Sequence, residues 1–206
     1  MMPLTDITGL AGIALAVTAL VLRLPVAARL QSGLQAWLAS AILVALAIPF
    51  GGMSGAEYVR GITGDLSIAT LALLLPPLVL PRTNGQAPSR AKILSEFNLT
   101  LLLLACAAVA LYPMALGIGM FDPYRLGFGN LWFIAGLLFM ASATWIRQYT
   151  LIALGLSLAV LAWSVGWYES NNLWDYLLDP WVSVYALAVL IKRGASMAAK
   201  RLFPPR

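Results

Sequence analysis

Three aspartates, Asp65, Asp175 and Asp179, are the side chains of this sequence best placed to do chemistry. Each stands in or beside an apolar stretch, where an ionisable group is costly to keep and is a functional candidate for that reason. Asp175 and Asp179 are four residues apart, on one face of any helix that holds both, and like charges at that spacing repel. They require a cation, a proton or a guanidinium close by. Arg60 and Arg125 offer the guanidinium, and Glu57 and Glu169 belong to the same set of loops. The pattern defines one candidate ligand or ion site, with Asp65, Asp175 and Asp179 at its centre and Arg60, Arg125, Glu57 and Glu169 at its rim. Asp65 is the best single candidate, the deepest of the three and flanked by Gly61 and Gly64.

Oxygen-only ligands of this kind suit Mg²⁺ or Ca²⁺ rather than zinc, and paired carboxylates can also act as acid and base on a lipid or lipid-linked substrate. The plainer reading places the same groups in headgroup-level water, where they cap helices and pair with the two arginines. That reading is favoured here, most clearly for Asp122, whose step into Pro123 spells a turn. No metal and no cofactor is expected. With no histidine in 206 residues, a His-ligated haem, an HExxH metal site and any Ser-His-Asp or Cys-His nucleophile are excluded. The single cysteine, Cys106, excludes an internal disulfide and a CxxC redox pair.

The elements that must position these groups are membrane helices. Hydrophobic residues make up 61% of the chain and charged ones 10%, where a soluble domain carries about a quarter. A mean hydropathy of +0.87 agrees. Seven stretches approach the roughly twenty apolar residues that a crossing helix needs: about 7–24, 34–50, 55–80, 97–119, 131–146, 149–167 and 173–191. The apolar part of the third begins near Gly61. The fold class expected is an all-α integral membrane protein, a seven-helix bundle in one polytopic domain (1–193) with a short basic tail (194–206). Remaining loops are too short to bury a core of their own.

Charge sets the orientation. Of thirteen Lys and Arg residues, only Arg60 and Arg125 fall outside one alternating set of loops. By the positive-inside rule that set is cytoplasmic, so the N-terminus lies outside and the C-terminus inside. Of eight Asp and Glu residues, Glu96 alone falls on the inner side. The stretch Met1–Asp6 lacks the basic residues of a signal peptide, which favours a retained first helix. Trp37 and Trp145 are expected at the inner interface, and Trp132, Trp167, Trp174, Trp181, Tyr168 and Tyr176 at the outer one.

Local signals are sharpest at two places. Ser54-Gly-Ala-Glu57 spells a capping box, and a helix starting there sets Glu57, Gly61, Gly64 and Asp65 on one face. Arg60 is within reach of Glu57, and the two glycines permit a close helix approach. Asn172 is suited to cap the seventh helix, which is expected to run on through a kink at Pro180. The alternative, with Asp179 as the cap and Pro180 as the first helical residue, leaves only about eleven apolar residues to cross. Pro76, Pro77 and Pro113 are candidate kinks.

The function expected is that of a non-catalytic accessory, assembly or scaffolding subunit of a cell-envelope complex in a bacterial-type inner or plasma membrane. Its partners are the lipid bilayer and either another membrane protein or further copies of itself, not nucleic acid. The alternatives are a small transporter or binding protein for a cation or cationic solute, and an outer-leaflet enzyme.

Overall fold

A computed structural model describes residues 3–75 and 90–202. The described residues are mostly helical. Helix α1 spans Leu4–Leu22, a short α2 spans Pro25–Ala28, and α3 spans Ser32–Ala47. A two-residue antiparallel hairpin, β1 (Pro49–Phe50) and β2 (Met53–Ser54), leads into α4 (Gly55–Thr63) and α5 (Ile68–Leu74). Beyond the undescribed stretch come α6 (Arg90–Ala115) and a 3-10 helix (Pro123–Gly127). Next are α7 (Leu131–Ile146), α8 (Thr150–Ser164), α9 (Leu173–Leu177) and α10 (Pro180–Leu202). By length and composition, α1, Lys92–Ala115 of α6 and Pro180–Ala199 of α10 are able to cross a membrane, whereas α3, α7 and α8 are apolar but shorter.

Two expected helices are broken. The third segment does not run unbroken from 55: α4 stops at Thr63 and α5 starts at Ile68, while 76–80, with Pro76 and Pro77, lies outside the described residues. The stop is Gly64, with φ of 69°, a left-handed conformation that glycine adopts without strain. Its N–H still bonds the Arg60 carbonyl. The restart is Ser67, whose Oγ accepts the Thr70 N–H at 3.2 Å as an N-cap. The seventh segment is likewise two helices and not one kinked helix. Asp179 caps α10 and Pro180 is its first residue, where a proline loses no hydrogen bond. The length objection fails because α10 continues through Lys192 and Arg193 to Leu202, into the start of the basic tail. Helix α6 begins seven residues earlier than the expected 97 and ends at Ala115, with Pro113 in its last turn.

The core lies between α6, α8, α9 and α10. Leu101, Ala105 and Ala108 of α6, Ala159 of α8, Leu173 and Tyr176 of α9 and Ala186 of α10 are all buried. Tyr168 and Tyr176 are buried in the core, with stacked rings 5.1 Å apart. Trp174 packs on Phe133 at 4.8 Å. Helix α1 turns a face of small residues, Gly9, Gly12, Ala16 and Ala19, toward α4 and α5, the composition that lets helix backbones approach closely. Among the described residues, helix α3 buries none of its own; it packs mainly against α1 and α4, and Gln35 Nε2 donates to the Ala27 carbonyl of α2 at 3.2 Å.

Helix ends are closed by side chains from distant elements. Two N–H groups of the Arg23 guanidinium reach the Leu73 and Leu74 carbonyls at 3.0 and 2.9 Å, which caps the C-terminus of α5. Tyr149, the residue before α8, offers no side-chain cap. Glu96 of α6 replaces it, its Oε1 accepting the Leu151 N–H and, at 3.3 Å, the Ile152 N–H. A carboxylate at a helix start meets both the free amides and the positive end of the dipole. Replacing Glu96 by Ala is expected to lower stability by about 1–2 kcal/mol, read from thermal unfolding in detergent. Glu96→Gln, which keeps an acceptor, should recover part of it. An unchanged midpoint for Glu96→Ala would refute the cap.

Candidate functional site

Asp6, Asp65, Glu169, Asp175 and Asp179 gather at one end of the bundle, around the starts of α1, α5 and α10 and the loop 165–172. Asp179 is the most buried of them, 4% exposed. Its position follows from the break before Pro180, which turns the capping side chain inward against the break between α4 and α5. One oxygen, Oδ1, accepts the Val182 N–H at 2.9 Å and caps α10. The other, Oδ2, accepts the Ser67 N–H at 2.9 Å, the Ser67 hydroxyl at 2.8 Å and the Thr70 hydroxyl. One carboxylate thus faces the N-terminal ends of two helices, with four donors around it. A buried carboxylate is tolerated when its lone pairs are met in this way.

Asp65 lies two residues before Ser67, in the break itself. It takes both arms of the Arg60 guanidinium, Nε to Oδ1 at 2.7 Å and a terminal nitrogen to Oδ2 at 3.0 Å. Such a bidentate pair is the strongest geometry open to these two groups. The remaining arm of Arg60 reaches Asp6 on α1 at 2.7 Å, and Glu169 stands at 4.0 Å. Helix α1 passes directly over this pair. A Cβ on Gly9 would collide with the Asp65 carboxylate and the Arg60 guanidinium, so any other residue there displaces this ion pair. Beside it, the Thr8 hydroxyl donates to the Trp167 carbonyl and ties α1 to the 165–172 loop.

Asp175 belongs to a third set. It accepts from the Tyr124 hydroxyl at 3.0 Å and the Ser170 hydroxyl at 2.5 Å. Burial, and then the Asp175 charge, push the Tyr124 phenol up to about 12, so it remains a donor at neutral pH. Asn172 accepts the Trp174 N–H at 2.9 Å, capping α9 as expected, and donates to the Tyr124 carbonyl at 3.0 Å. Trp174 Nε1 donates to the Pro123 carbonyl at 2.9 Å. The 3-10 helix is thereby latched onto α9, with Gly127 against Asn172 where a Cβ has no room.

The three central aspartates do come to one end, around the Tyr168–Tyr176 pair, yet each has its own set of donors. Glu57 closes the expected capping box, accepting the Ser54 N–H while Ser54 Oγ accepts the Glu57 N–H. It is not Arg60's partner: that guanidinium turns forward to Asp65 and across to Asp6. Since α4 ends at Thr63, Asp65 is not on a common helical face with Glu57 and Gly61. The close helix approach is at Gly9, while Gly61 and Gly64 have open space around them. Arg125 is exposed on the 3-10 helix and takes part in none of the ion pairs among the described residues, and Glu169 is 66% exposed at the rim. Among the described residues, no buried side-chain nitrogen or oxygen lacks a partner, and no group of His, Cys, Asp and Glu is arranged to hold a metal.

Asp6, Ser67, Thr70, Tyr124 and Gly9 were not signalled as site residues by the sequence. For Ser67 a signal existed, because a glycine three residues before a serine spells a stop and a restart. For Asp6 and Gly9 there was none: their partners are more than fifty positions away.

By length and composition the helices define a helical membrane protein. No family model, no characterised protein and no solved structure matches the chain.

The Asp179 junction makes an ordered prediction. Asp179→Ala removes one cap and strands three further donors, at an expected cost of roughly 3–5 kcal/mol, enough to deplete the folded protein. Ser67→Ala removes one cap and one of those four hydrogen bonds, at about 1–2 kcal/mol. Denaturation in mild detergent tests the ranking. Equal, small effects would mean that the carboxylate does not hold the two breaks together.

Proposed function

We propose that this chain is a seven-crossing protein of a bacterial-type inner or plasma membrane, N-terminus outside and C-terminus in the cytoplasm, serving as a non-catalytic accessory or scaffolding subunit of a larger membrane complex. The orientation rests on the loop charges, with the acidic end outside. The crossings are α1, α3, the α4–α5 pair with the residues after it, α6, α7, α8, and the α9–α10 pair. Helices α3, α7 and α8 have 15 or 16 residues each, a length that bilayer thinning and interfacial flanking residues accommodate at modest cost.

One observation carries the functional reading. The carboxylates that had to be the site are saturated by donors of their own chain: four on Asp179, a bidentate guanidinium on Asp65, two hydroxyls on Asp175. They serve to close helix ends and to latch α1, the 3-10 helix and the 165–172 loop together. A rigid end with a largely exposed, apolar flank suits a protein that positions a neighbour. Trp37 of α3 and Trp132 and Phe139 of α7 are each more than three-quarters exposed, available to lipid or to a membrane-protein partner.

A second reading, transport of a proton or cation, is favoured by a different observation. Two interrupted helices meet at one buried carboxylate, an arrangement that transporters use to build sites in the bilayer.

Flux separates the two readings. Purified protein in liposomes should carry no proton, Na⁺ or K⁺ flux above protein-free vesicles, and Asp65→Asn, matched for abundance, should co-elute with the same stoichiometric partner as the wild type in mild detergent. A cation flux that Asp179→Asn abolishes would establish the transport reading instead. Topology is tested independently: Glu169→Cys in an otherwise cysteine-free chain is expected to react with an impermeant maleimide on intact cells. Reaction only after permeabilisation would reverse the orientation.

A further inference from the structure

An apolar cleft of about 270 Å³, half open to the surroundings, lies between α5, α6, α7, α8 and α9. Ala72, Ala107 and Gly155 form walls of small side chains, and Phe133 and Trp174 close it toward the acidic end. At the opposite end is Thr100, whose hydroxyl already donates to the Glu96 carbonyl at 2.8 Å. The Trp174 N–H is likewise committed, to Pro123. Every other lining side chain is a hydrocarbon, an aromatic ring or a thioether. The α6 wall alone, from Thr100 to Ala107, is about 10 Å long at the rise of an α-helix, so the cleft is an elongated slot along the helices.

A cleft with such walls favours an apolar occupant over water. Protein interiors are close-packed, and atoms lining a void lose their contacts outright. Water needs two or more polar partners, which these walls do not offer, whereas an apolar cavity of only about 150 Å³ already takes up a benzene-sized molecule. In a bilayer the abundant apolar molecule is the lipid chain. Moving such a chain from the bilayer into the slot gains nothing from leaving water, since the bilayer is as apolar as leucine. The gain comes from filling the void, and it selects for shape: a thin, unbranched chain fits a slot floored by alanine and glycine.

We propose that this slot is a binding site for one acyl chain of a membrane lipid, held as a structural ligand between α5 and the α6–α8 wall. The proposal rests on membrane insertion and on the packing of these helices, not on the accessory-subunit reading.

The test is native mass spectrometry of the full chain purified in mild detergent, with identification of whatever remains bound. One fatty-acyl lipid per chain is expected on the wild type. Two variants narrow the slot from opposite walls, Ala107→Phe on α6 and Ala72→Leu on α5, and loss of the lipid from either folded variant is expected. As a second readout, delipidated wild type should gain thermal stability on adding phosphatidylglycerol, with the gain saturating at one lipid per chain. Absence of any bound lipid together with no saturable gain would overturn the proposal. So would equal retention by both variants, or an isoprenoid as the species retained.

Discussion

A helix that stops inside an apolar environment leaves four amides or four carbonyls without partners, and lipid supplies none. This chain stops twice in one place, before Ile68 and before Pro180, and a single carboxylate closes both openings. Asp179 is where the charge inventory of the molecule is spent most economically. Its two oxygens serve two helix starts, so the orientation of α5 is fixed against that of α10 through hydrogen bonds instead of through a large packed interface. The Arg60–Asp65 pair follows from the same break, because Asp65 is in the irregular stretch that Gly64 and Ser67 delimit. Gly9 follows from the pair, because α1 can pass over it only without a side chain there.

The same logic extends to the opposite end. Arg23 and Glu96 both lie in segments whose charge sorts by membrane side, yet each also closes the end of a helix to which it is not adjacent in sequence. The proposed orientation accounts for the sign of Arg23 and leaves its contact with Leu73 and Leu74 unexplained. Glu96 is the reverse case: it is the one acidic residue among basic loops, and its position is explained by the uncapped start of α8. Arg23, Glu96, Asp6, Arg60, Asp175 and Asp179 each carry a connection between elements. The neutral polar groups behave alike. Tyr124, Asn172 and Ser170 form a latch that holds the 3-10 helix on α9, and the high proton affinity of the Tyr124 phenol keeps that latch donating to Asp175.

Sequence reasoning reached the helical membrane class and both local caps, at Ser54–Glu57 and at Asn172. These features depend on hydropathy over twenty residues or on contacts three residues apart, and such information is local. It failed at the two breaks for different reasons. Gly64 and Ser67 are legible punctuation, overridden by the expectation that an apolar stretch stays helical. Pro180 was read correctly as a possible first residue and then rejected on length, on the assumption that a helix ends with its apolar run; α10 instead carries Lys192 and Arg193 within it. The candidate site was legible as a set of residue types and as one end of the molecule. Its pairing was not, since Arg60 had a nearer acidic neighbour in Glu57, and the capping box had already claimed that neighbour. The links from Asp6 to Arg60, Asp179 to Ser67 and Glu96 to α8 span 54 to 112 positions and leave no periodic trace.

The central claim is that one side chain holds two helix starts closed. Amide hydrogen exchange at Ser67 and Val182, compared between wild type and Asp179→Asn in detergent, measures it directly. Asparagine keeps one acceptor oxygen where aspartate has two, so it can serve one helix start at full strength and not both. Protection is expected to fall at one or both of these amides while the α7–α8 hairpin stays as protected as before. Unchanged protection at both amides would contradict the claim, and the breaks at Ser67 and Pro180 would then have to be stabilised by packing alone.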